Sequence, residues 1–261
     1  MILREIAEYT KERYKQTAEK TPLSSVKAAA LSMNTKTDFL FKKALEMPGI
    51  SYICEVKKAS PSKGVIAQDF PYIEIARDYE KAGARAISVL TEPKYFMGDN
   101  RYLNEISHSV NLPLLRKDFT VCDYQIFEAK TIGASAVLLI CSLLDSVQLK
   151  DYLDIAHGLG LSALVEAHDE REVETALKAG AEIIGVNNRN LKDFTVDINN
   201  CLRLKKYIPE NVLYVAESGI RTRENIEIIR SAGVDGVLIG ETMMKSNDKA
   251  GALRELNGGA L

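Results

Sequence analysis

The sequence has 261 residues, 46% of them hydrophobic and 27% charged, with 34 Lys and Arg against 36 Asp and Glu for a formal net charge of −2. That balance carries no mark of disorder and no global basic field for nucleic acid or an anionic membrane, so neither is expected as a partner, although a local basic pocket is compatible with it. The length suits one large domain or two small ones with an ample core.

The first residues, MILREIAEYTKERYKQ, are charged from Arg4 onward and lack the apolar centre of a signal peptide. No later apolar run reaches bilayer-spanning length, so a cytoplasmic location is expected. Ile2 to Lys20 and Lys36 to Glu46 read as two amphipathic helices. They form an extension over residues 1–48, packed on a single domain that takes the whole span 1–261. Whether the extension merely caps one end of that domain or contributes to a substrate site is left open.

From Ile50 onward one pattern recurs: KAGARAISVL, TIGASAVLLI, KAGAEIIGV and SAGVDGVLIG, each a helix end, a glycine and a β-branched apolar run. Gly83, Gly133, Gly180 and Gly233 fit the left-handed residue that closes a helix, and the runs behind them fit buried parallel strands. The spacing between them leaves room for two strand–helix units per step. The intervening strands are Ile50 to Lys57, Leu112 to Lys117, Ser162 to Glu166 and Val212 to Glu217, which brings the count to eight. Helix starts are marked by Asp145 with Gln148 and Asp169 with Glu172, and by Asp123 and Thr222. Eight right-handed units close naturally into a (β/α)8 barrel, a TIM barrel of the α/β class; the rival open sheet lacks a GxGxxG turn in its first unit.

Chemistry in such a barrel sits at the C-terminal ends of the strands. The first strand ends in Glu55 and Lys57, the third in Lys117, the fifth in Glu166, the sixth in Asn187, the seventh in Glu217 followed by Ser218 and Gly219, and the eighth in Gly240. Any one of these charges is explained equally well by a rim salt bridge. Two lysines and three carboxylates converging on one mouth point instead to acid–base chemistry. The glycine turns AESGI and LIGETMM lie after strands seven and eight, where backbone N–H groups at helix starts favour a phosphate. Ser60 and Ser62 of the SPSKG loop reach the same region. The Glu241 carboxylate is expected to turn away from an anion there. Cys54, Cys122, Cys141 and Cys201 lie far apart and read as reduced residues, mostly of the core. With His108, His157 and His168 also lacking ligand spacing, no metal site is expected.

Taken together, CEVKKASPSKG at Cys54 to Gly64 and then SVLTEPKYFMGD, LPLLRKDF, ALVEAH, IIGVNNRNL, VAESGI and LIGET resemble the indole-3-glycerol-phosphate synthase family. The likeness includes the N-terminal ILREIAEYTKERY helix and so runs in order along nearly the whole chain. It implies that Lys117 is the general acid of ring closure and Glu166 the general base. Lys57 is implied as a substrate contact and second acid, with Glu55 as its acidic partner. Asn187 and Glu217 match residues that hold substrate hydroxyl and catalytic groups. Ser60, Ser218, Gly219, Gly240 and, through its backbone, Glu241 fall on phosphate positions. Arg189 and Phe119 fall on pocket positions, and Phe96 on an aromatic beside the anthranilate ring. Asn190 and Glu241 depart from the residues frequent in the family. The implied activity is a carboxy-lyase of tryptophan biosynthesis that takes a phosphorylated small molecule and needs no cofactor. Another phosphate-binding barrel isomerase and a non-catalytic phosphate-binding barrel are the rivals. The oligomeric state is open, a monomer being compatible with the helix faces.

Overall fold

The computed structural model describes residues 2–190 and 193–259. Leu191 of the IIGVNNRNL motif and the termini of the expected 1–261 span thus lie outside the described residues. Three helices come first: α1 (Ile2–Lys20), α2 (Leu23–Ser32) and α3 (Leu40–Glu46). Strand β1 (Ser51–Val56) is followed by a small antiparallel hairpin, β2 (Ala59–Ser60) with β3 (Gly64–Val65), and by α4 (Tyr72–Lys81). The chain then alternates through β4 (Ala86–Leu90), α5 (Asn100–Ser107), β5 (Leu114–Lys117), α6 (Asp123–Thr131), β6 (Ala136–Ile140) and α7 (Ser146–Gly158). It continues with β7 (Ser162–Ala167), α8 (Glu170–Ala179), β8 (Ile183–Asn187), α9 (Asn199–Leu204), β9 (Leu213–Glu217) and α10 (Arg223–Ser231). β10 (Gly236–Ile239), the short α11 (Glu241–Lys245) and α12 (Lys249–Asn257) complete it. All strands outside the hairpin are parallel and close in the order β1-β10-β9-β8-β7-β6-β5-β4, with β4 returning to β1: a (β/α)8 barrel.

Alternation along each strand sorts side chains into two cores. Cys54, Val137, Val165, Ile184 and Val237 face the surrounding helices. Ile53, Leu115, Leu164, Ile183, Val215 and Leu238 fill the interior. Two residues beyond Ile53, Leu115, Leu164 and Val215, the inward position is occupied by Glu55, Lys117, Glu166 and Glu217. The barrel is therefore apolar at its base and ionisable at its mouth because the same face of each strand changes character at its last inward residue. The four repeat glycines all adopt positive φ, as the helix-end reading requires. The capping boxes at Asp145 with Gln148 and at Thr222 with Asn225 are formed, and Asp169 accepts from the Glu172 N–H at 2.9 Å. Asp123 is not a cap: it is the first residue of α6, and Gln125 Oε1 takes the Val121 N–H instead. No helix among the described residues is long and apolar enough to cross a membrane.

The segment ahead of β1 holds three helices rather than the two expected. The extra one, α2, follows Pro22 and runs through three consecutive alanines, a composition that favours helix without a strong two-sided pattern. The helix expected from Lys36 begins only at Leu40, because Asp38 and Phe39 adopt left-handed φ values of 56° and 50°. α3 plugs the base: Phe41 and Leu45 are buried among the inward residues, and the Ala44 carbonyl accepts from Ser51 Oγ at 2.8 Å. α1 lies at the other end, with Ile2, Leu3 and Ile6 lining the mouth. Arg13 donates to both Asp118 oxygens at 3.2 and 3.0 Å, and Tyr14 donates to Glu128 at 2.5 Å. The extension thus closes the base and also walls the mouth. Leu45→Ala should cost about 2–5 kcal/mol of unfolding free energy in a urea titration. Its KM should match the wild type, since Leu45 sits at the end away from the mouth.

Candidate active site

One pocket at the mouth is lined by every site residue expected from the sequence, from Glu55, Lys57 and Ser60 of the first unit to Gly240 and Glu241 of the last. Lys117 stands at its centre. Its ammonium is 3.4 Å from Glu166 Oε2 and 3.7 Å from Glu217 Oε2. Burial opposes the charge, but Glu166, Glu217 and Glu55 outweigh it, so Lys117 is held protonated well above the usual lysine range. Lys57 Nζ donates to Glu55 Oε2 in a very close pair. Gly240 makes room for that pair: a side chain there would run into Glu55 Oε2 and the Lys57 ammonium.

The two carboxylates around Lys117 diverge. For Glu166, burial acts to raise the carboxyl, yet Lys117, His168 and the Asn187 amide prevail and hold it below its ordinary value, so it stays ionised. For Glu217, burial raises the carboxyl, Lys117 opposes the rise, and the Glu166 and Glu55 charges add to it, up to about 8. Glu217 Oε1 is buried without a hydrogen-bond partner among the described residues, packed where Gly185 has no side chain to displace it. Side by side, the site offers a cationic acid, an ionised base and a neutral carboxylic acid, the separation of protonation states that acid–base catalysis requires.

The rest of the pocket divides into an aromatic side and an anion side. The Glu92 carboxylate accepts from the N–H groups of Lys94, Tyr95 and Phe96 at 2.7–3.0 Å and so folds the loop that presents Phe96. The Phe96 and Phe119 rings lie 5.8 Å apart, near Ile6 and Leu3 of α1. Opposite, Ser218 and Gly219 both take positive φ, 65° and 79°, and turn the chain sharply into the wall of the pocket. The Ser218 carbonyl is fixed by Asn188 Nδ2 at 3.1 Å. Arg189 is anchored through its N–H to Asn187 Oδ1 at 3.0 Å and through its guanidinium to the Phe194 carbonyl at 3.3 Å. The Glu241 carboxylate pairs with Lys245 one turn on at 2.7 Å, with Lys63 and Arg221 at 3.7 and 3.9 Å. Among the described residues, no group of three or more His, Cys, Asp or Glu stands in metal-binding arrangement.

Three contributions escape the sequence reading. Lys63 and Arg221 bring positive charge to the rim. Asp118 is buried beside Lys117 and ties the strand to Thr91 and α1. His168 sits 3.4 Å from Glu166. Its signal was present in ALVEAH, since a residue two positions past Glu166 shares its strand face.

Because the folded chain keeps on Glu217 a proton that the unfolded chain releases near the ordinary value of 4.5, this group's contribution to stability falls as pH rises from there to about 8. Glu217→Gln should therefore gain Tm relative to wild type progressively between about pH 5 and about pH 9 in scanning calorimetry. A difference independent of pH would show that Glu217 is ionised throughout.

The family model for indole-3-glycerol phosphate synthase matches residues 3–256. The chain is 54% identical over its whole length to the indole-3-glycerol phosphate synthase of Ruminiclostridium cellulolyticum, covering all of both chains. It is 55% identical to that of Endomicrobium trichonymphae, over 98% of this chain and 99% of the relative. Among solved structures, 3-hexulose-6-phosphate synthase from Salmonella typhimurium superposes with a TM-score of 0.65 at 13% identity, over 79% of this chain and 96% of that one, a likeness of fold alone. With the barrel, the charged mouth and half-identical relatives agreeing from end to end, this chain belongs to the indole-3-glycerol phosphate synthase family.

Proposed function

We propose that the pocket converts 1-(2-carboxyphenylamino)-1-deoxyribulose 5-phosphate into indole-3-glycerol phosphate, carbon dioxide and water, as a carboxy-lyase of tryptophan biosynthesis. The observation that carries the assignment of roles is the placement of a protonated Lys117 between an ionised Glu166 and a protonated Glu217.

The ring carbon that bears the carboxylate attacks the substrate ketone, and the carbonyl oxygen takes a proton from Lys117 as the new carbon–carbon bond forms. The bond to the carboxylate then breaks, its electron pair restores the aromatic ring, and carbon dioxide leaves. In the last stage the hydroxyl departs as water with a proton from Lys57, while Glu166 removes a proton from the ring nitrogen or the adjacent carbon. Two protons are given and one is taken, so each turnover draws one proton from solvent. Glu166 Oε2 lies 3.4 Å from the Lys117 nitrogen, close enough for the proton it takes to reload that donor inside the site. Glu217, held neutral, can donate a hydrogen bond to a substrate hydroxyl without adding a third anion. Phe96 and Phe119 suit the anthranilate ring. Ser60, the Ser218–Gly219 turn, the start of α11 at Gly240 and Glu241, and Arg189 suit the phosphate end. A phosphate-sugar isomerase or a non-catalytic barrel would need the anion side but not two lysine–carboxylate pairs.

Positioned acid–base groups contribute about 10²–10⁴-fold each. Lys117→Ala should lower kcat by at least that order, read as the appearance of indole fluorescence, while inorganic phosphate still competes at the pocket. Glu166→Gln should do the same with its shape preserved. Near-wild-type kcat in either variant would remove that residue from its role.

A further inference from the structure

His168 stands outside the lining of the pocket, one residue past the end of β7, yet it is aimed at the pocket's base. Its Nδ1 is 3.2 Å from Glu172 Oε2, the same oxygen that accepts the His168 backbone N–H at 2.8 Å. Its Nε2 is 3.4 Å from Glu166 Oε1. Nε2 is buried and has no properly directed hydrogen bond among the described residues, an arrangement that costs free energy unless the nitrogen serves a charge nearby. The two oxygens of Glu166 are thereby divided, Oε1 toward His168 and Oε2 toward Lys117. The end of the strand is fixed from a third side, since Asn200 Nδ2 donates to the carbonyls of both His168 and Asn187.

We propose that His168 is a positioning residue for the general base: held at Nδ1 by Glu172, it presents Nε2–H to Glu166 Oε1 and keeps Oε2 free for Lys117 and the substrate. The inference deepens the function proposed above and rests on the assignment of Glu166 as base. The groups facing the imidazole are Glu166 on its own strand, Glu172 from α8, and Glu217 across the mouth from β9. The Cys141 thiol after β6, pushed up to about 12 by burial and by the Glu172 and Glu166 charges, donates to the Glu172 carbonyl and remains a neutral neighbour. Burial disfavours the His168 cation, but Glu172 and Glu166, with Glu217 behind them, raise it above the ordinary histidine range. An imidazolium at this place neutralises Glu166 on the side away from Lys117. It also lets the base return to its ionised form after each turnover, because the positive charge beside it persists when Lys117 has given up its proton.

The test compares His168→Phe, His168→Gln and Glu172→Gln in the full-length protein, with kcat and KM measured across pH. His168→Phe should lower kcat by about tenfold or more and move its acid limb to higher pH, with KM within about twofold of wild type, since His168 does not itself line the pocket. His168→Gln, whose amide still donates to Glu166, should recover most of the lost kcat. Glu172→Gln should move the acid limb the same way and stands in should His168→Phe fail to fold. In the wild type, NMR titration of the three histidines should find the His168 imidazole still protonated above the range of the others, and Glu166→Gln should bring it down. An unmoved acid limb in His168→Phe, or equal losses in the Phe and Gln variants with a lowered Tm, would reduce His168 to a structural residue. Full activity in Glu166→Gln would overturn the base assignment itself, whereas an inactive Glu166→Gln beside an unaffected His168→Phe would overturn this inference alone.

Discussion

Placing an ammonium group in a barrel interior costs several kcal/mol unless partners surround it, and Lys117 is surrounded by Glu166, Glu217 and, at longer range, Glu55. That requirement organises the mouth. With Glu217 holding its proton up to about 8, Lys117 has the ionised Glu166 beside it, while Lys57 pairs with Glu55. The floor of the mouth is thus built from two lysine–carboxylate pairs. Both lysines of that floor are already paired. The other cations that line the pocket, Lys63, Arg189 and Arg221, stand around it.

The barrel makes this arrangement possible through register. Alternation on β1, β5, β7 and β9 carries an apolar inward residue to an ionisable one two positions on, and closure of the ring brings those four ends together. The outward residue between the last two inward ones has its own use. On β5 it is Arg116, buried on the helix side, where it donates to Glu128 and Tyr14 at 2.7 Å. Asp118, the next outward residue, receives Arg13. The strand that carries Lys117 is thus gripped on both sides of the lysine by α1, so the wall of the pocket and the seat of its central acid are a single assembly.

The barrel was legible because helix-closing glycines and apolar runs are local signals that recur in order. The charged mouth was legible because a polar residue ending an apolar run betrays a strand's last inward position. Other features depend on tertiary context. α2 is rich in alanine and buries only Val26 and Ala30, so it shows little periodic contrast until α6 is present to receive it. The late start of α3 follows from two left-handed residues, neither of them glycine, and their sequence does not announce that conformation. Asp123 looked like a cap, but α6 starts at it without a side-chain cap, and Gln125 instead ties down the preceding loop at the Val121 N–H. His168 failed a test for metal spacing, and its place beside Glu166 emerges only when α8 brings Glu172 to its other nitrogen.

The two-ended grip of the N-terminal segment bears on the order in which the chain can be assembled. α1 docks on Arg116, Asp118 and Glu128, α2 on α6, and α3 against Ser162 and Glu182, where Lys42 donates at 2.9 Å. Most of these docking surfaces are thus made long after the segment that uses them, Ser51 being the near exception. Because a domain generally folds as a unit, Phe41 and Leu45 find their cover only with the inward strand residues that surround them. The helices ahead of β1 are thus held by contacts far away in sequence.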